Sequence, residues 1–453
     1  MDSAHVFAIG LLALSIPAGY ILVRLPLIRR FYLPTALGAG LIILIFGPQI
    51  AGQYFPQFQL PDQSYALWST LPSMLINIVF AGLLLAKPVL SLKKMWSLAG
   101  PQVAFGQMMA WGQYALGGLL ALFVLIPMFG MPAVSGALIE ISFEGGHGTV
   151  AGMTPVFQEL GFSDGQQIAT ALATASLLTA LISGIILINW GRARGHLRPG
   201  GVVQVMRNQV YHRQIIAKLH EKGIRLRQHI TPGRLINHLL LFGMGIALGW
   251  VIRQGFILIE QLTWGQGESV FFHYVPLFSF CMFGGIIAQW LWRRMKIEIS
   301  REMVELITSL SLTLLIATAI GTMSLDFEST QVAAMGLLYL TGVIWILASF
   351  MLLARRMFKR YWFQNAIIDM GQSMGMTATG LLFAQMTDPK NRTNAVEAFG
   401  YKQLMFEPFM GGGMITALSM PIIMILGLPI FTVICAVLTV IWMLAGLLYF
   451  GKR

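Results

Sequence analysis

The sequence predicts an all-α polytopic membrane protein: two inverted repeats, each of five transmembrane helices plus one re-entrant hairpin, followed by one extra C-terminal helix. Three observations carry this. The 453 residues are 56% hydrophobic and only 11% charged, against about 25% charged in soluble domains, and several apolar windows reach the ~20 residues that cross a bilayer. Two glycine-rich segments, Glu144-Gly145-Gly146-His147-Gly148-Thr149 and Gly371-Gln372-Ser373-Met374-Gly375-Met376-Thr377-Ala378-Thr379-Gly380, interrupt that pattern at matching places in the two halves. The lysines and arginines sit in short clusters at the ends of apolar stretches, which is a topology signal and not the single basic domain of a nucleic-acid binder.

Taken in order, eleven spans cover residues of about 5–23, 33–50, 69–88, 97–125, 165–190, 235–258, 272–292, 304–322, 331–354, 404–427 and 430–450. The first is read as a retained span, because Met1-Asp2-Ser3-Ala4-His5 lacks the basic region of a cleavable signal. Two further segments, 131–160 and 361–387, hold the glycine motifs. Reading each as a hairpin that returns to its own side puts 29 of the 30 lysines and arginines in the cytoplasm, Lys402 among them, and leaves only Arg253 outside. Reading each as a full crossing would scatter the clusters over both sides, against the positive-inside rule.

The N-terminus then lies outside and the C-terminus in the cytoplasm of a bacterial inner membrane. Residues 1–190 form the first repeat, 191–234 a cytoplasmic loop, 235–427 the second repeat, and 428–453 the extra helix with a short tail. Five is odd, so the second repeat is upside down relative to the first, and the two hairpin tips meet near the midplane. The central loop has ten basic residues against one acid, Glu221. It reads as a topology anchor touching anionic lipid headgroups, with 205–228 as a surface helix. Cys281 and Cys435 lie in apolar stretches and read as packing residues.

Broken segments at membrane depth are tolerated only where protein or a watery cavity covers them, and a matched pair of them points to a transporter's binding site. Glycine lets the backbone unwind and lets a ligand approach it. Gly145, Gly146, His147, Gly148 and Thr149 from the first motif, with Gly375, Thr377 and Thr379 from the second, are the candidate solute-binding residues. Sodium is a hard ion that takes oxygen ligands, and Ser142, Glu144, Thr149, Thr377 and Glu407 are the candidate donors. Four acids, Glu140, Glu144, Asp369 and Glu407, fall within or beside apolar segments, and intramembrane ionisable groups are functional hypotheses by default. Glu407 is expected inside the tenth span, with Lys402 near it, and no lysine or arginine is expected to neutralise the other three. His147 serves either as a proton relay or carboxylate donor, or as a satisfied structural group. No cofactor is expected besides the coupling ion.

These motifs carry a resemblance. Ser142-Phe143-Glu144-Gly145-Gly146-His147-Gly148-Thr149 resembles a segment of the bacterial sodium/glutamate symporter family, and Gly161-Phe162 with Ala171-Leu172-Ala173-Thr174-Ala175 continues it. Gly375-Met376-Thr377-Ala378-Thr379 and the early Leu33-Pro34-Thr35-Ala36-Leu37-Gly38-Ala39-Gly40 are similar to two further motifs of that family. The resemblance implies a sodium-coupled symporter of glutamate, a homodimer, and elevator-like movement of a hairpin-bearing core. The chain departs from the family pattern at Glu144, where a small polar residue is usual, at Gly371 and at Gly380, and Glu140 and Glu407 look like added acids. A proton- or cation-coupled transporter of another solute is the alternative. From another class, a membrane-embedded enzyme would rest on His147 with Glu144, but no His-x-x-x-His spacing or nucleophile elbow accompanies them.

Overall fold

The computed structural model describes residues 3–25, 33–86, 92–197, 231–265, 271–388 and 392–451. The expected surface helix at 205–228 and most of the basic loop lie outside the described residues. The described chain is helical, with no strands among the described residues. The helices are α1 (Ser3–Arg24), α2 (Thr35–Ile45), α3 (Asp62–Gly82), α4 (Leu92–Leu120, continued to Phe129), α5 (Leu138–Phe143), α6 (Gly146–Gly152), α7 (Thr154–Glu159) and α8 (Gly165–Ala193). The second half holds α9 (Pro232–Leu262), α10 (Leu277–Arg294), α11 (Arg301–Gly321), α12 (Ser329–Ala348, continued to Met357), α13 (Trp362–Thr387), α14 (Ala395–Phe406), α15 (Met414–Leu426) and α16 (Leu428–Leu444, continued to Phe450).

Among the described residues, eight helices are long and apolar enough to cross a membrane: α1, α3, α4, α8, α9, α11, α12 and α16. The expected second, seventh and tenth spans are not among them. Thr35–Ile45 and Met414–Leu426 are short, and the 18-residue α10 ends in Gln289, Trp290, Trp292, Arg293 and Arg294. The tenth span differs most. It does not run through 404–427 but is broken into α14 and α15 by residues 407–413. The cause is local: Pro408 lacks a donor, and Gly411 and Gly412 take positive φ values of 64° and 100°, a region open to glycine at little cost.

Apolar side chains from both halves form one large buried cluster, including Phe105, Tyr114, Phe143, Leu177, Phe363 and Phe383. A second cluster joins α3, α9, α10 and α11 through Ala81, Leu241, Phe242, Cys281 and Val304. Small residues let α9 and α10 approach closely, so that a Cβ on Gly284 would lie 2.5 Å from Gly249 N; small-residue contacts of this kind are the usual means of helix association in lipid. Cys281 and Cys435 are both buried and free. Arg253 donates to the carbonyl of Val275 at 3.0 Å.

Two segments depart from through-going helices. Within α13, Gly375 (φ −152°, ψ 26°) and Met376 (φ 72°, ψ 166°) leave the helical region, and the chain reverses there. A Cβ on Gly371 would lie 2.6 Å from Phe383 Cδ2, and one on Gly380 would lie 2.6 Å from the carbonyl oxygen of Ile368. A straight helix rises about 1.5 Å per residue, which would hold these pairs far apart. Both ends of α13 therefore sit at one end of α8: Phe363 packs on Trp190 with ring centroids 6.4 Å apart, and Arg192 donates to the Met386 carbonyl at 3.2 Å. The other interrupted segment runs through the 3-10 turn Ala133–Ala137, α5, α6 and α7. Its start packs beside Gly118 of α4, and its end places Glu159 3.6 Å from His273, ahead of α10.

Candidate functional site

The turns of the two interrupted segments touch. Gly146 has φ +67°, and a Cβ there would lie 2.9 Å from Met376 Cγ. The third break, at residues 407–413, closes against the same place. A Cβ on Gly411 would lie 3.4 Å from Glu144 Cγ, and one on Gly412 would collide with the Thr149 hydroxyl. The sequence-predicted residues of both motifs thus converge, together with a segment that the sequence reading treated as a plain span.

The individual side chains take different roles. His147 is buried, and its Nε2 lies 2.9 Å from the Thr174 hydroxyl, while Nδ1 has no partner among the described residues. Thr149 turns back to its own helix and donates to the Gly145 carbonyl at 2.9 Å. Thr379 likewise donates to the Gly375 carbonyl. Such back-bonding is the ordinary habit of threonine in membrane helices. Gly148 packs on Ile76, whose Cδ1 would lie 3.0 Å from an added Cβ. Thr377 alone of the threonines in these two motifs reaches across to another element. It donates to Glu407 at 2.8 Å, while Gln403 donates to Thr377 at 2.8 Å and to Glu407 at 2.6 Å.

The acids are sorted by their surroundings. Glu140 is fully buried and receives the Tyr114 hydroxyl on one oxygen. Its other oxygen accepts Gly411 N at 3.1 Å and the Thr416 hydroxyl at 2.9 Å. Asp369 is fully buried and lies 3.2 Å from Lys402 Nζ, itself fully buried. This corrects two expectations. Lys402 is not a cytoplasmic surface charge, and Asp369 is not without a cation. The reason is tertiary: α14 begins earlier than expected and carries Lys402 into the core, where Gly106 of α4 leaves room for its ammonium, 2.7 Å from where a Cβ would stand. Gln372 accepts from the same ammonium at 2.6 Å, and the Phe406 ring centroid is 4.1 Å away, a cation–π distance. Glu407 sits at the end of α14, at the break, and not within a continuous span.

Glu144 is the remaining buried acid of these four. It is 3% exposed, and neither carboxylate oxygen has a hydrogen-bond partner among the described residues. The hydroxyls of Ser142 and Ser373 and the side-chain oxygen of Gln113 are also buried and unpartnered among the described residues. Of the five proposed sodium donors, Thr377 bonds to Glu407, Thr149 bonds to its own helix, and the side-chain oxygens of Ser142 and Glu144 have no hydrogen-bond partner among the described residues. Tyr114, Gln113, Gln372, Ser373, Gln403 and Thr416 were missed by sequence reasoning. Buried glutamines and serines carry no period or spacing of their own; only Pro408 followed by three glycines hinted that the third segment was broken.

The chemistry of this arrangement is that of a buried cluster of polar, mostly oxygen-bearing side chains beside unwound backbone inside an apolar bundle. No cluster of three or more histidine, cysteine or acidic side chains able to hold a metal ion occurs among the described residues. A family model described as sodium/glutamate symporter matches residues 1–391, stopping short of α14, α15 and α16. No curated protein matches the chain. The matched family is one of transporters, which sets the enzyme reading aside. With the family matched over most of its length and its interrupted helices meeting at one buried place, this chain belongs to the sodium/glutamate symporter family and is a multi-pass membrane protein.

Proposed function

We propose that the protein carries out sodium-coupled symport of glutamate or a related small organic solute across the bacterial inner membrane, with the site between two hairpin tips. The contact of Gly146 with Met376 carries this reading. The chain order supports the inverted arrangement. The start of α4 meets the start of α13 through Gln102 and Asn365 at 2.8 Å, so the far end of α4, where the first interrupted segment begins, faces the opposite side. That segment leads into the start of α8, whose other end holds both ends of α13. The first hairpin is thus read as dipping from outside and the second as rising from the cytoplasm, each within one inverted repeat.

Solute binds on the exposed backbone near Gly145, Gly146, Gly148 and Gly375, with His147, Thr149, Thr377 and Thr379 lining it. Alternating access follows by elevator-like motion of the hairpin-bearing core within a homodimer, as the family resemblance implies, and loop 191–234 rests on anionic lipid. The added acids favour the second reading, a proton- or cation-coupled transporter of a different solute. The deciding experiment is uptake of a panel of labelled amino acids into proteoliposomes, with and without a sodium gradient. Sodium-driven accumulation of glutamate supports the first reading. Accumulation of another solute, or accumulation driven by protons alone, supports the second.

A further inference from the structure

The last turns of α12 and α16 lie side by side. Both helices widen into π turns before they stop, over Ser349–Leu353 in α12 and Ala445–Phe450 in α16. Such turns are rare and gather at functional places. The two ends are in close contact: a Cβ on Gly446 would run into Met357, and one on Gly451 would run into the Arg356 carbonyl. Between them they leave a cavity of about 470 Å³, lined by Arg355, Arg356, Phe358, Lys359, Leu447 and Gly451. Small-ligand sites commonly span about 300–1,000 Å³.

The charged side chains of this cavity are all cations. Arg355, Arg356 and Lys359 are exposed, and among the described residues none of them is paired with a carboxylate. The two helix C-termini oppose them with roughly half a negative charge each, so a net positive field remains. Basic residues at the end of a span also set topology. Topology needs only the charge, however, and does not call for a cavity between two helix ends.

The flank of the cavity is apolar. Phe358 is buried and Leu447 half-buried. Within about a turn, Met351 and Leu352 of α12 and Leu444 and Leu448 of α16 are exposed, Leu352 to 66% and Leu448 to 54%. Both helices are long and apolar enough to cross a membrane, which sets these side chains against acyl chains. Beside the same end of α16, Trp96 packs on Trp442 and Phe450 with ring centroids 6.5 and 5.6 Å apart. Aromatic rings of this kind mark the headgroup level. A cationic cavity above an exposed apolar flank matches an anionic amphiphile, whereas a free phosphate would leave the apolar part unused. Guanidinium groups hold phosphate oxygens through paired charge-assisted hydrogen bonds, and basic pockets between membrane helices suit anionic headgroups.

We propose that the cavity between the ends of α12 and α16 binds the phosphate of an anionic phospholipid, with Arg355, Arg356 and Lys359 as donors and the acyl chains along the Leu352 and Leu448 flank. The bound headgroup fastens α12 to α16. The site contains no residue of the glycine motifs and stands independently of the sodium-coupled reading.

The test is thermal unfolding of the full chain in uncharged detergent, titrated with phosphatidylglycerol, and in parallel with phosphatidylcholine and with inorganic phosphate. In the wild type the midpoint rises with phosphatidylglycerol and levels off, since a ligand that binds only the folded state stabilises it. Phosphatidylcholine and inorganic phosphate leave it in place. Arg355→Gln, Arg356→Gln and Lys359→Gln each raise the half-saturating phosphatidylglycerol concentration about fivefold. Arg360→Gln, exposed and next in the chain but outside the cavity, leaves it unchanged. Unchanged half-saturation in all three cavity variants overturns the proposal. So does an equal weakening in Arg360→Gln, which marks a diffuse surface charge, and so does an equal rise with phosphatidylcholine. A rise with inorganic phosphate alone, lost in the same three variants, overturns the lipid and assigns the cavity to a soluble phosphate.

Discussion

Met376 stands directly against Gly146: a Cβ built on Gly146 would lie 2.9 Å from Met376 Cγ and 3.2 Å from its Sδ. Both residues have positive φ, 67° and 72°. For methionine this conformation costs about 1–3 kcal/mol and persists only where the surroundings enforce it. The turn at Met376 is therefore held in an unfavoured shape at the point where it meets Gly146.

Gly146→Val should abolish transport while leaving the protein folded and inserted. The branched side chain would take a left-handed backbone and drive into Met376, so the two turns must part. Uptake into proteoliposomes is compared with the amount of protein recovered in the membrane. Uptake at the wild-type rate would show that the contact has no part in transport.

Lys402→Met should destabilise the protein by about 3–5 kcal/mol, because it strands the buried Asp369. The double change Lys402→Met with Asp369→Leu should recover most of that loss, since replacing both partners removes the stranded charge. Thermal unfolding of the purified variants measures both. Equal loss in single and double variants would mean that Lys402 stabilises through packing against Phe399 and Phe406 alone.

Glu407→Ala should lower the maximal uptake rate and leave the half-saturating sodium concentration unchanged. The carboxylate ties Thr377 and Gln403 together at 2.8 and 2.6 Å, so its loss loosens the turn at Gly375 and Met376 from α14. Uptake measured against sodium concentration separates the two quantities. A weakened sodium affinity would return Glu407 to the ion's ligand set.

Single cysteines at Met128 and Arg194, both exposed, should label from opposite sides in a background lacking Cys281 and Cys435. Met128 lies at the end of α4 and should react from outside; Arg194 follows α8 and should react only from the cytoplasm. Labelling of both from one side would end the inverted-repeat reading.

The apolar composition and the length of the apolar windows by themselves determined a multi-pass helical protein, because a continuous apolar window of about 20 residues matches a spanning helix, which satisfies its own backbone in lipid. The glycine motifs marked where the chain would break, since glycine is the residue that weakens a helix locally and tolerates positive φ. The Ser142–Thr149 motif also carried the family. What surrounds each acid was decided only in three dimensions. Glu140, Glu144 and Asp369 look alike in sequence, yet Tyr114 and Thr416 donate to the first, Lys402 pairs with the third at 3.2 Å, and Glu144 packs beside Gly411. Their partners come from α4, α14 and α15, between 26 and 276 residues away for Glu140 and 33 for Asp369. No local spacing encodes such a contact. The break at residues 407–413 was half legible for the same reason: Pro408 and the glycines weaken the helix, but only packing against Glu140 and Thr149 fixes where the backbone opens.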